Sequence, residues 1–361
     1  MVRRADVARH AGVTPAVVSY VTNGSHPVST ATRHRVLAAI EELGYRPNAV
    51  ARALATSRTH TVGLITPDSA NPFFAELAAA IELAASAVGY TVLLGNALND
   101  EKRELNYANT FADRQVDGII IAPVSRAEAA LAAVRARGIP VVYTDRTSRD
   151  SGTPTVEVDN AAGARRATAH LLEHGRSVHA CITGLQSEFP AIERARGWRE
   201  ALTEAGAEAR DELLVFTDFT SEAAHREALR LLELEPAIDS ILVGSDLQAV
   251  GVLRAVFDHG RTPGADVSVV SFDGIQLGRY THPSLTTVAQ PFEPMATAVM
   301  DLLEGLIEAP QTDANPGITR ILPTELVIRE SCGCLPHQNL PDSGAAGELA
   351  GIPSNPTQGV R

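Results

Sequence analysis

The sequence contains few cysteines, no long apolar run and none of the common catalytic motifs. Three cysteines in 361 residues are too few for a disulfide framework. No apolar run reaches the roughly 20 residues of a membrane-spanning helix, and the N-terminus lacks a signal-peptide core, which predicts a cytoplasmic protein. A GxGxxG motif after the first predicted strand, a P-loop, a nucleophile elbow and HExxH are absent, so we expect no enzymatic activity, cofactor or catalytic residue.

Charge is divided unevenly along the chain. The whole sequence carries 31 basic and 43 acidic residues, a formal net charge of −12. Residues 1–60 hold eight arginines and three acidic residues, a net of +5, so the remainder carries −17. A basic N-terminal segment on an acidic body suits a protein whose N-terminus meets phosphates while its body does not.

The basic segment predicts two short helices joined by a tight turn. Gly12 supplies the turn, Thr14 can cap the second helix, and Pro15 suits its first position, where a missing N–H costs nothing. Asn23-Gly24 ends that helix. This arrangement is typical of a helix-turn-helix motif, whose second helix enters the major groove of DNA. A third helix is predicted to begin after its cap, Ser29, and to end at Gly44. Its apolar stripe consists of Val36, Ile40 and Leu43.

After residue 60, apolar β-branched runs alternate with helical patterns. Residues 73–88, for example, place Phe74, Leu77, Ile81, Ala84 and Val88 on one helical face. This alternation predicts doubly wound parallel sheets, and about 270 residues of it suit two sheets. The predicted strands are Thr61–Ile65, Thr91–Leu94, Gly118–Ala122, Ile139–Tyr143, Val178–Thr183, Ser240–Val243 and Val267–Phe272.

The C-terminal residues are rich in proline, glycine, serine and asparagine and carry no helical stripe, which predicts a flexible tail over residues 332–361. Cys332-Gly333-Cys334 raises the question of a metal site. Zinc needs about four ligands, Cys181 falls in a predicted strand, and His337 is the only nearby partner in sequence. We therefore interpret the motif as a turn and predict no metal site.

Short motifs in a fixed order resemble the lactose-repressor (LacI/GalR) family. Those near the N-terminus are Asp6-Val7-Ala8, Ala11-Gly12-Val13, Val18-Ser19, Asn23-Gly24, Val28-Ser29, Thr32-Arg33, Gly44-Tyr45-x-Pro47-Asn48 and Ala51-Arg52-x-Leu54. Those further on are Asn71-Pro72-Phe73-Phe74, Val116-Asp117-Gly118 and Leu285-Thr286-Thr287-Val288. The resemblance covers residues 5–331. It implies an α/β protein with a helix-turn-helix head of three helices (1–46), a hinge helix and linker (47–60), and an effector-binding core (61–331).

The resemblance also implies how that core is divided. It consists of two Rossmann-like lobes of the periplasmic-binding-protein type, the first formed by residues 61–158 and 290–319 and the second by 159–289 and 320–331. The chain would cross between them near Asp159, Gln290 and Arg320. In such folds the ligand lies beyond the carboxyl ends of the strands, in the interlobe cleft. Some family members carry a C-terminal leucine-heptad helix that forms tetramers; its absence here favours a homodimer.

The DNA contacts implied by the resemblance begin on the second helix. Pro15, Ala16 and Tyr20 occupy the base-reading positions, and the first two can read only shape or a thymine methyl group. Tyr20 stands where an arginine is common, so it reads a base or contacts a phosphate. The groups that position phosphates, together with the predicted caps nearby, are Thr14, Ser19, Asn23, Ser29, Thr32 and Tyr45.

Residues 48–55 match the hinge segment, which folds on DNA and pairs with its dimer mate in the minor groove. Asn48 can cap this helix, and Leu54 matches the leucine that wedges between central base pairs and kinks the duplex. Arg52 and Arg58 would add charge against phosphates. At the chain start, Arg3-Arg4-Ala5 lacks the threonine cap and apolar anchor of the family, which predicts a first helix weakened by about 1 kcal/mol.

The resemblance places an effector site in the cleft. Its predicted residues are Phe73, Phe74, Asp159, Arg194, Phe219, Asp246 and Asp273. Aspartate and arginine bind vicinal hydroxyls with two hydrogen bonds, and aromatic rings pack on the apolar face of a sugar. A carbohydrate is therefore the expected effector, and a purine that uses the same stacking stays an alternative.

Several of these positions have a structural alternative. Asp159 and Asp246 could instead cap the helices that follow them. Trp198 is expected in the core beside Leu202, and Arg196 in a salt bridge. Asp145-Arg146, at the end of a predicted strand, is a weaker candidate for the cleft.

Three classes of function remain to be compared. The leading hypothesis is a repressor that binds a pseudo-palindromic operator as a homodimer and responds to a small molecule in the cleft. A solute-binding protein without a transcriptional role would explain the body but not the head. An enzyme on a Rossmann-like fold would need catalytic motifs that the sequence lacks.

Overall fold

The computed structural model describes residues 2–23, 26–46, 58–124, 128–145, 152–309 and 317–334. The predicted hinge helix, with Asn48, Arg52 and Leu54, lies outside the described residues, as do Arg146, His337 and the rest of the tail beyond residue 334. Within the described ranges, no helix is both long enough and apolar enough to span a membrane.

Three helices form the N-terminal head, as predicted: α1 (Arg4–Ala11), α2 (Pro15–Asn23) and α3 (Thr30–Leu43). Val7, Val18 and Val36 are fully buried at their centre. Gly12 and Gly44 end α1 and α3 with φ angles of 65° and 59°, a left-handed conformation that glycine adopts without a steric penalty. The head is therefore a separate small core in which each helix contributes one apolar face.

The start of α1 is better supported than the sequence suggested. The Asp6 carboxylate accepts a hydrogen bond from the Arg3 backbone N–H at 2.9 Å, which satisfies one of the amide groups that a helix N-terminus leaves without a partner. Val2 packs against the head core and supplies the apolar anchor. The predicted lack of a side-chain cap is confirmed, because Arg3 at the N-cap position makes no cap hydrogen bond. The predicted lack of an apolar anchor is wrong, because Val2 takes that place.

The first lobe is built on a six-stranded sheet of parallel pairs. Its strands lie in the order β11-β5-β4-β3-β1-β2. Their bounds are β1 (Thr61–Thr66), β2 (Thr91–Asn96), β3 (Gly118–Ile121), β4 (Val141–Thr144), β5 (Thr155–Val158) and β11 (Thr319–Leu322). Its helices are α4 (Pro72–Ala87), α5 (Glu101–Asp113), α6 (Glu128–Arg135) and α11 (Phe292–Glu308).

The second lobe repeats this architecture. Its sheet has the order β12-β10-β9-β8-β6-β7, and only the β10–β12 pair is antiparallel. The strands are β6 (His179–Thr183), β7 (Leu214–Phe216), β8 (Ser240–Val243), β9 (Ser268–Asp273), β10 (Thr286–Ala289) and β12 (Glu325–Val327). The helices are α7 (Asn160–Glu173), α8 (Phe189–Glu204), α9 (Ser221–Leu234) and α10 (Asp246–Asp258), with short 3₁₀ turns at Asp211–Leu213 and Gln276–Arg279.

The chain crosses between the lobes three times. The first crossover follows β5 at Asp159, and the second follows β10 at Gln290. The third was predicted near Arg320, but Arg320 lies within β11 and pairs with Val156 of the first sheet. The last crossover is therefore at residues 323–324, where Arg166 of α7 donates to the Thr324 carbonyl oxygen at 2.6 Å.

All seven predicted strands are present, whereas the face predicted for residues 73–88 needs a correction. In α4, Phe74, Leu77 and Ile81 are buried as expected, but Val88 is exposed because the helix ends at Ala87. The boundary of the tail is also wrong, because Cys332 is buried in the second lobe. Residues 332–334 therefore belong to the folded core.

Candidate DNA-binding head and interlobe cleft

The outer surface of α2 carries the predicted base-reading residues. Pro15 and Ala16 are exposed, whereas Val18 and Val21 of the same helix face the head core. This division follows from the 3.6-residue period of the helix. Thr14 immediately precedes α2, and its carbonyl oxygen accepts the N–H of Val18. The first turn of α2 is therefore exposed on the surface of the head.

Tyr20 does not stand alone on this surface. Its ring stacks on that of His26, with the centroids 4.3 Å apart and the planes 30° from parallel. Tyr20 is half-buried and His26 is exposed. The sequence did not point to His26, because the residue lies beyond the end of the helix and only the fold returns it to Tyr20.

The predicted phosphate-positioning residues lie just before α2, on α2, at the start of α3 and just after α3. The Ser29 hydroxyl accepts the Thr32 N–H at 3.3 Å and donates to the Thr32 hydroxyl at 2.9 Å, which confirms Ser29 as the cap. Ser19 is half-buried, and Tyr45 packs its side chain against the head core. The exposed arginines of the head are Arg3, Arg4, Arg9, Arg33, Arg35 and Arg46. The head thus presents a positively charged surface.

The chain segment that follows the hinge is anchored firmly on the first lobe. The Asp117 carboxylate accepts the backbone N–H groups of Thr59 and His60 at 2.9 and 2.8 Å. Arg58 donates to the carbonyl oxygen of Ile307, at the end of α11, at 2.7 Å. Arg58, which was expected to add charge against DNA phosphates, thus contacts the first lobe in this structure.

A small cavity lies between the lobes, at the carboxyl ends of strands from both sheets. Asn71, Phe73, Phe74 and Asp145 contribute from the first lobe. The second-lobe lining consists of Pro190, Arg194, Phe219, Ser245 and Asp273. Five of the seven residues predicted for the effector site, together with the weaker candidate Asp145, are thus brought together.

Arg194 and Asp273 form a buried ion pair in this cavity. The guanidinium Nη1 lies 3.5 Å from the Asp273 carboxylate, and both side chains are almost fully buried. Arg194 also donates to Asn160 at 2.8 Å and to the Gly244 carbonyl oxygen, and its guanidinium lies 3.8 Å from the centroid of the Phe272 ring. These contacts fix the plane of the guanidinium, so its orientation toward the cavity is set before any ligand arrives.

Burial raises the pKa of the Asp273 carboxyl well above its usual range, and the neighbouring Arg194 counteracts part of that rise. Gln290 at the second crossover donates to the same carboxylate at 2.9 Å. The backbone of Asp273 has a φ of 114°, and that of Asp145, across the cavity, has a φ of 64°. Non-glycine residues in this region of φ cost about 1–3 kcal/mol each and concentrate at functional sites.

Aromatic rings form the apolar wall of the first lobe. Asn71 caps α4 by accepting the Phe73 N–H at 3.1 Å, with Pro72 at the first helical position. The rings of Phe73 and Phe74 meet edge to face at 5.0 Å, and Phe292 lies 5.5 Å from Phe73. A rigid helix start thus carries the aromatic surface of the cleft.

Asp159 and Asp246 do not line the cavity. Asp159 is exposed and caps α7 by accepting the Ala162 N–H at 2.9 Å, which was its structural alternative. Asp246 is fully buried, and Ser245, rather than Asp246, caps α10. Its donors are the Ser271 hydroxyl at 2.5 Å, the Thr287 hydroxyl at 2.6 Å and the Ile275 N–H at 2.8 Å.

These contacts give Asp246 a positioning role. Its carboxylate ties the start of α10 to β9, to β10 and to the loop that follows Asp273. Burial raises the pKa of Asp246 to about 6, although the three hydrogen bonds oppose this rise. The alternative that Asp246 caps its helix is therefore wrong, because Ser245 takes that place. In this conformation the Asp246 side chain is buried outside the cavity lining.

In this conformation the lobes are closed around the cavity. Its volume is only about 20 Å³, enough for about one water molecule, whereas ligand sites commonly measure about 300–1,000 Å³. Glu76 on α4 accepts the N–H of Gln276, after β9, at 2.9 Å and joins the two lobes beside the cleft. A ligand of drug or sugar size would therefore have to separate the lobes or displace side chains.

The predictions for two residues outside the cleft, Trp198 and Arg196, are confirmed. Trp198 is fully buried in the same core cluster as Leu202. Arg196 forms surface ion pairs with Glu193 and Glu200, each at 2.5 Å. Among the described residues, a group with metal-ligand spacing, formed by His170, His174 and Cys334, also lies away from the cleft.

The residues that the sequence did not select for the cleft are Asn71, Asn160, Pro190, Ser245 and Gln290. A usable signal was present for some of them. Asn71 and Ser245 each follow a predicted strand and precede a helix, which is where ligand contacts gather in this type of fold. Asn160 and Gln290 stand beside predicted crossovers. The packing of α7 on α8 brings Asn160 to Arg194, and the pairing of β9 with β10 brings Gln290 to Asp273.

A helix-turn-helix head joined to two α/β lobes with a polar, aromatic-lined cleft defines a DNA-binding regulator with an effector-binding domain. Residues 5–48 match the model described as bacterial regulatory proteins, lacI family, and residues 59–316 match that described as periplasmic binding proteins and sugar binding domain of LacI family. The ribose operon repressor of Halalkalibacterium halodurans is 38% identical over 330 residues, covering 90% of this chain and 96% of the relative.

Two solved structures extend the comparison. The transcriptional regulator CelR in its cellobiose complex is 32% identical, with a TM-score of 0.68, and the match covers 92% of this chain and 100% of CelR. The lac repressor dimer bound to operator and the anti-inducer ONPF is 28% identical, with a TM-score of 0.79 over 92% of this chain and 99% of that structure. The chain belongs to the LacI family of transcriptional regulators.

Membership in this family decides between the three classes of function. LacI-family proteins regulate transcription and are not enzymes, which agrees with the absence of catalytic motifs in the sequence. The alternative of a solute-binding protein without a transcriptional role is set aside, because the head matches the family as well as the body does.

Proposed function

We propose that this regulator is a repressor that binds a pseudo-palindromic operator as a homodimer and that a carbohydrate or sugar derivative, bound between its lobes, is its effector. The observation that carries the second part is the buried Arg194–Asp273 pair in a cavity lined by Phe73, Phe74 and Phe219. A charged fork beside a carboxylate binds vicinal hydroxyls, and the rings cover the apolar face of a sugar.

The comparisons support a sugar without identifying it. One relative is a ribose operon repressor, and CelR is solved in complex with cellobiose. Asn71 and Asp145 add polar groups from the first lobe, so a ligand would contact both lobes at once. Because such a ligand interacts differently with the open and closed arrangements, its binding shifts the equilibrium between them.

In the head, we assign the base-reading role to Pro15, Ala16 and Tyr20, and the wedge in the minor groove to Leu54. The groups that position phosphates are Thr14, Ser19, Asn23, Ser29, Thr32, Tyr45, Asn48 and Arg52. Exposure of Pro15 and Ala16 and the positive charge of the head support these roles. Since its target is chromosomal DNA, we place the protein in the cytoplasm.

A continuous set of contacts suits the coupling of the two sites. At one end, Gln290 holds the Asp273 carboxylate, and Phe292 at the start of α11 packs on Phe73. At the other end, the Ile307 carbonyl oxygen of α11 accepts Arg58, the first described residue after the hinge. The 17 residues of this helix span about 25 Å. We propose that movement at the cleft reaches the hinge through α11.

The effector proposal is tested by calorimetric titration of the purified protein with mono- and disaccharides, and with purine bases as the competing class. We expect a sugar to bind and to change operator affinity in a gel-shift assay. Asp273→Asn should lose this binding, because the amide has one acceptor oxygen where the carboxylate has two. Asp159→Asn, at the exposed crossover position, should retain it. Binding of a purine alone would contradict the carbohydrate assignment.

The operator proposal is tested by selecting genomic fragments with the protein and then measuring variants on the enriched site. Leu54→Ala should weaken binding to that site while leaving salt-dependent non-specific binding intact. Equal loss of both would contradict the wedge role. Tyr20→Phe distinguishes the two roles of Tyr20, because a base contact changes preference at one position, whereas a phosphate contact weakens all sequences alike.

A further inference from the structure

A cluster of two histidines and two cysteines lies in the second lobe, where α7 ends. His170 lies in the last turn of α7 and His174 is the C-cap residue that follows the helix. The two residues are four positions apart, and their ring centroids lie 4.5 Å from each other. Cys332 and Cys334 flank Gly333 in the turn that follows β12. Although about 160 residues separate the two pairs in sequence, the fold brings them together.

The ligand atoms of this cluster stand at distances close to those of a metal site. Cys334 Sγ lies 3.5 Å from His170 Nε2, 3.1 Å from His174 Nε2 and 3.0 Å from Cys332 Sγ. In a tetrahedral zinc site, bonds of about 2.3 Å to sulfur and about 2.0–2.1 Å to nitrogen place neighbouring ligand atoms about 3.3–3.8 Å apart. The ligand atoms of His170, His174 and Cys334 all lie within 4.8 Å of one another. Cys332, in contact with Cys334, would have to turn toward the histidines to supply the fourth ligand.

The backbone holds both thiols in place. Gly333 has a φ of 84°, and a Cβ at this position would overlap the Gly264 carbonyl oxygen, so no other residue fits between the two cysteines. The Ser268 hydroxyl donates to the Cys332 carbonyl oxygen at 2.6 Å. Cys332 is buried and Cys334 is half-buried. The turn therefore holds both sulfur atoms close to the end of α7.

The chemistry of the cluster fits a divalent cation that favours sulfur and imidazole. Both cysteines are free thiols. His174 is exposed, which leaves a path for an ion to enter. Two thiolates would balance the charge of the cation, and binding would release the thiol protons.

We propose that His170, His174, Cys332 and Cys334 bind one Zn²⁺ ion, which attaches the C-terminal turn to the end of α7. Softer ligands of this type select zinc over magnesium or calcium. The site is structural, because four protein ligands leave no open position for catalysis. This assignment replaces the interpretation of Cys332-Gly333-Cys334 as a turn without metal, since both histidine partners come from a distant helix.

The first experiment uses the full-length protein, stripped with a chelator under reducing conditions and then supplied with Zn²⁺. We expect one zinc per chain after gel filtration and a melting temperature that rises with zinc concentration. Cys334→Ser and His174→Gln should each lose both effects. His225→Gln is the matched control, because His225 is another surface histidine of the same lobe, paired with Asp258, and should keep both.

Cobalt supplies an independent spectroscopic measurement. Co²⁺ added to the stripped protein should show the intense visible bands of tetrahedral coordination and thiolate-to-cobalt charge transfer, and Cys332→Ser should reduce the charge-transfer band by about half. Absence of stoichiometric zinc, an octahedral cobalt spectrum, or retention of zinc in the double variant Cys334→Ser/His174→Gln would each overturn the proposal. So would a Cys332–Cys334 disulfide in protein isolated under alkylating conditions.

Discussion

The close approach of α7 and α8 depends on Gly197, and its replacement by alanine gives a sharp test of how the cleft is held. A Cβ at Gly197 would lie far inside van der Waals contact with the Ala161 carbonyl oxygen and 2.9 Å from the Arg165 nitrogen. Both are backbone atoms of α7 and cannot rotate away. The two helices must therefore separate for Gly197→Ala to be accommodated.

The size of the effect follows from two opposing contributions. Alanine in place of a helical glycine stabilises by about 1 kcal/mol, whereas overpacking costs about 1–3 kcal/mol. Because the clash is with backbone, we expect a net loss of about 2 kcal/mol in the free energy of unfolding. Gly305 of α11 is the control, since a Cβ there would meet no atom within 4 Å. Gly305→Ala should stabilise by about 0.5–1 kcal/mol.

The same substitution has a functional consequence. Arg194 lies one turn before Gly197 on α8, and its 2.8 Å hydrogen bond to Asn160 spans the interface that would open. We expect Gly197→Ala to weaken effector binding at least tenfold and Gly305→Ala to leave it unchanged. Urea unfolding followed by circular dichroism, together with the fluorescence of Trp198, the single tryptophan, measures stability. Equal stabilities for the two variants would refute the reasoning.

Three further predictions concern charged residues. The pKa of Asp246 is about 6 in the folded protein, against a usual 3.8. Its contribution to stability is therefore complete below pH 3.8 and is lost as the pH rises through 6. The stability difference between wild type and Asp246→Asn should shift by up to about 3 kcal/mol across that range. Asp117→Ala should leave effector affinity unchanged but reduce the effector's influence on operator binding, because it releases the segment after the hinge; an unaltered response would exclude this anchor from coupling. Glu76→Ala should increase the radius of gyration measured by solution scattering, because it removes the bond to Gln276, while Glu82→Ala on the exposed face of α4 serves as the control.

Local patterns were sufficient for much of the fold. The strands β1, β3 and β8 are continuous apolar runs. The start and end of α2 are marked by residues typical of helix ends, Pro15 and Asn23. The short strand β5 contains Glu157, which is buried, so its pattern did not indicate a strand. β11 is an edge strand with exposed residues, and its pairing with β5 is a contact that no local period reveals.

The site was predictable where a side chain faces the cleft directly from the end of its own element. Arg194 and Asp273 meet that condition. Asp246 does not, because its three donors come from Ser271, Thr287 and Ile275, which reach it only after the second sheet has formed. The histidines of the proposed zinc site were not predicted for the same reason, since their cysteine partners are distant in sequence.

The three crossovers between the lobes lie side by side. The first and third leave the first sheet at paired residues, Val158 and Leu322, while the second and third meet the other sheet at paired residues, Ala289 and Glu325. They therefore form a strap only about 10 Å wide, two strand spacings. Sliding of one lobe over the other would stretch all three connections, whereas rotation about the strap stretches none. Rotation about the three connections is therefore the easiest relative motion of the two lobes. A ligand in the cleft acts on this motion by fixing the angle between the lobes.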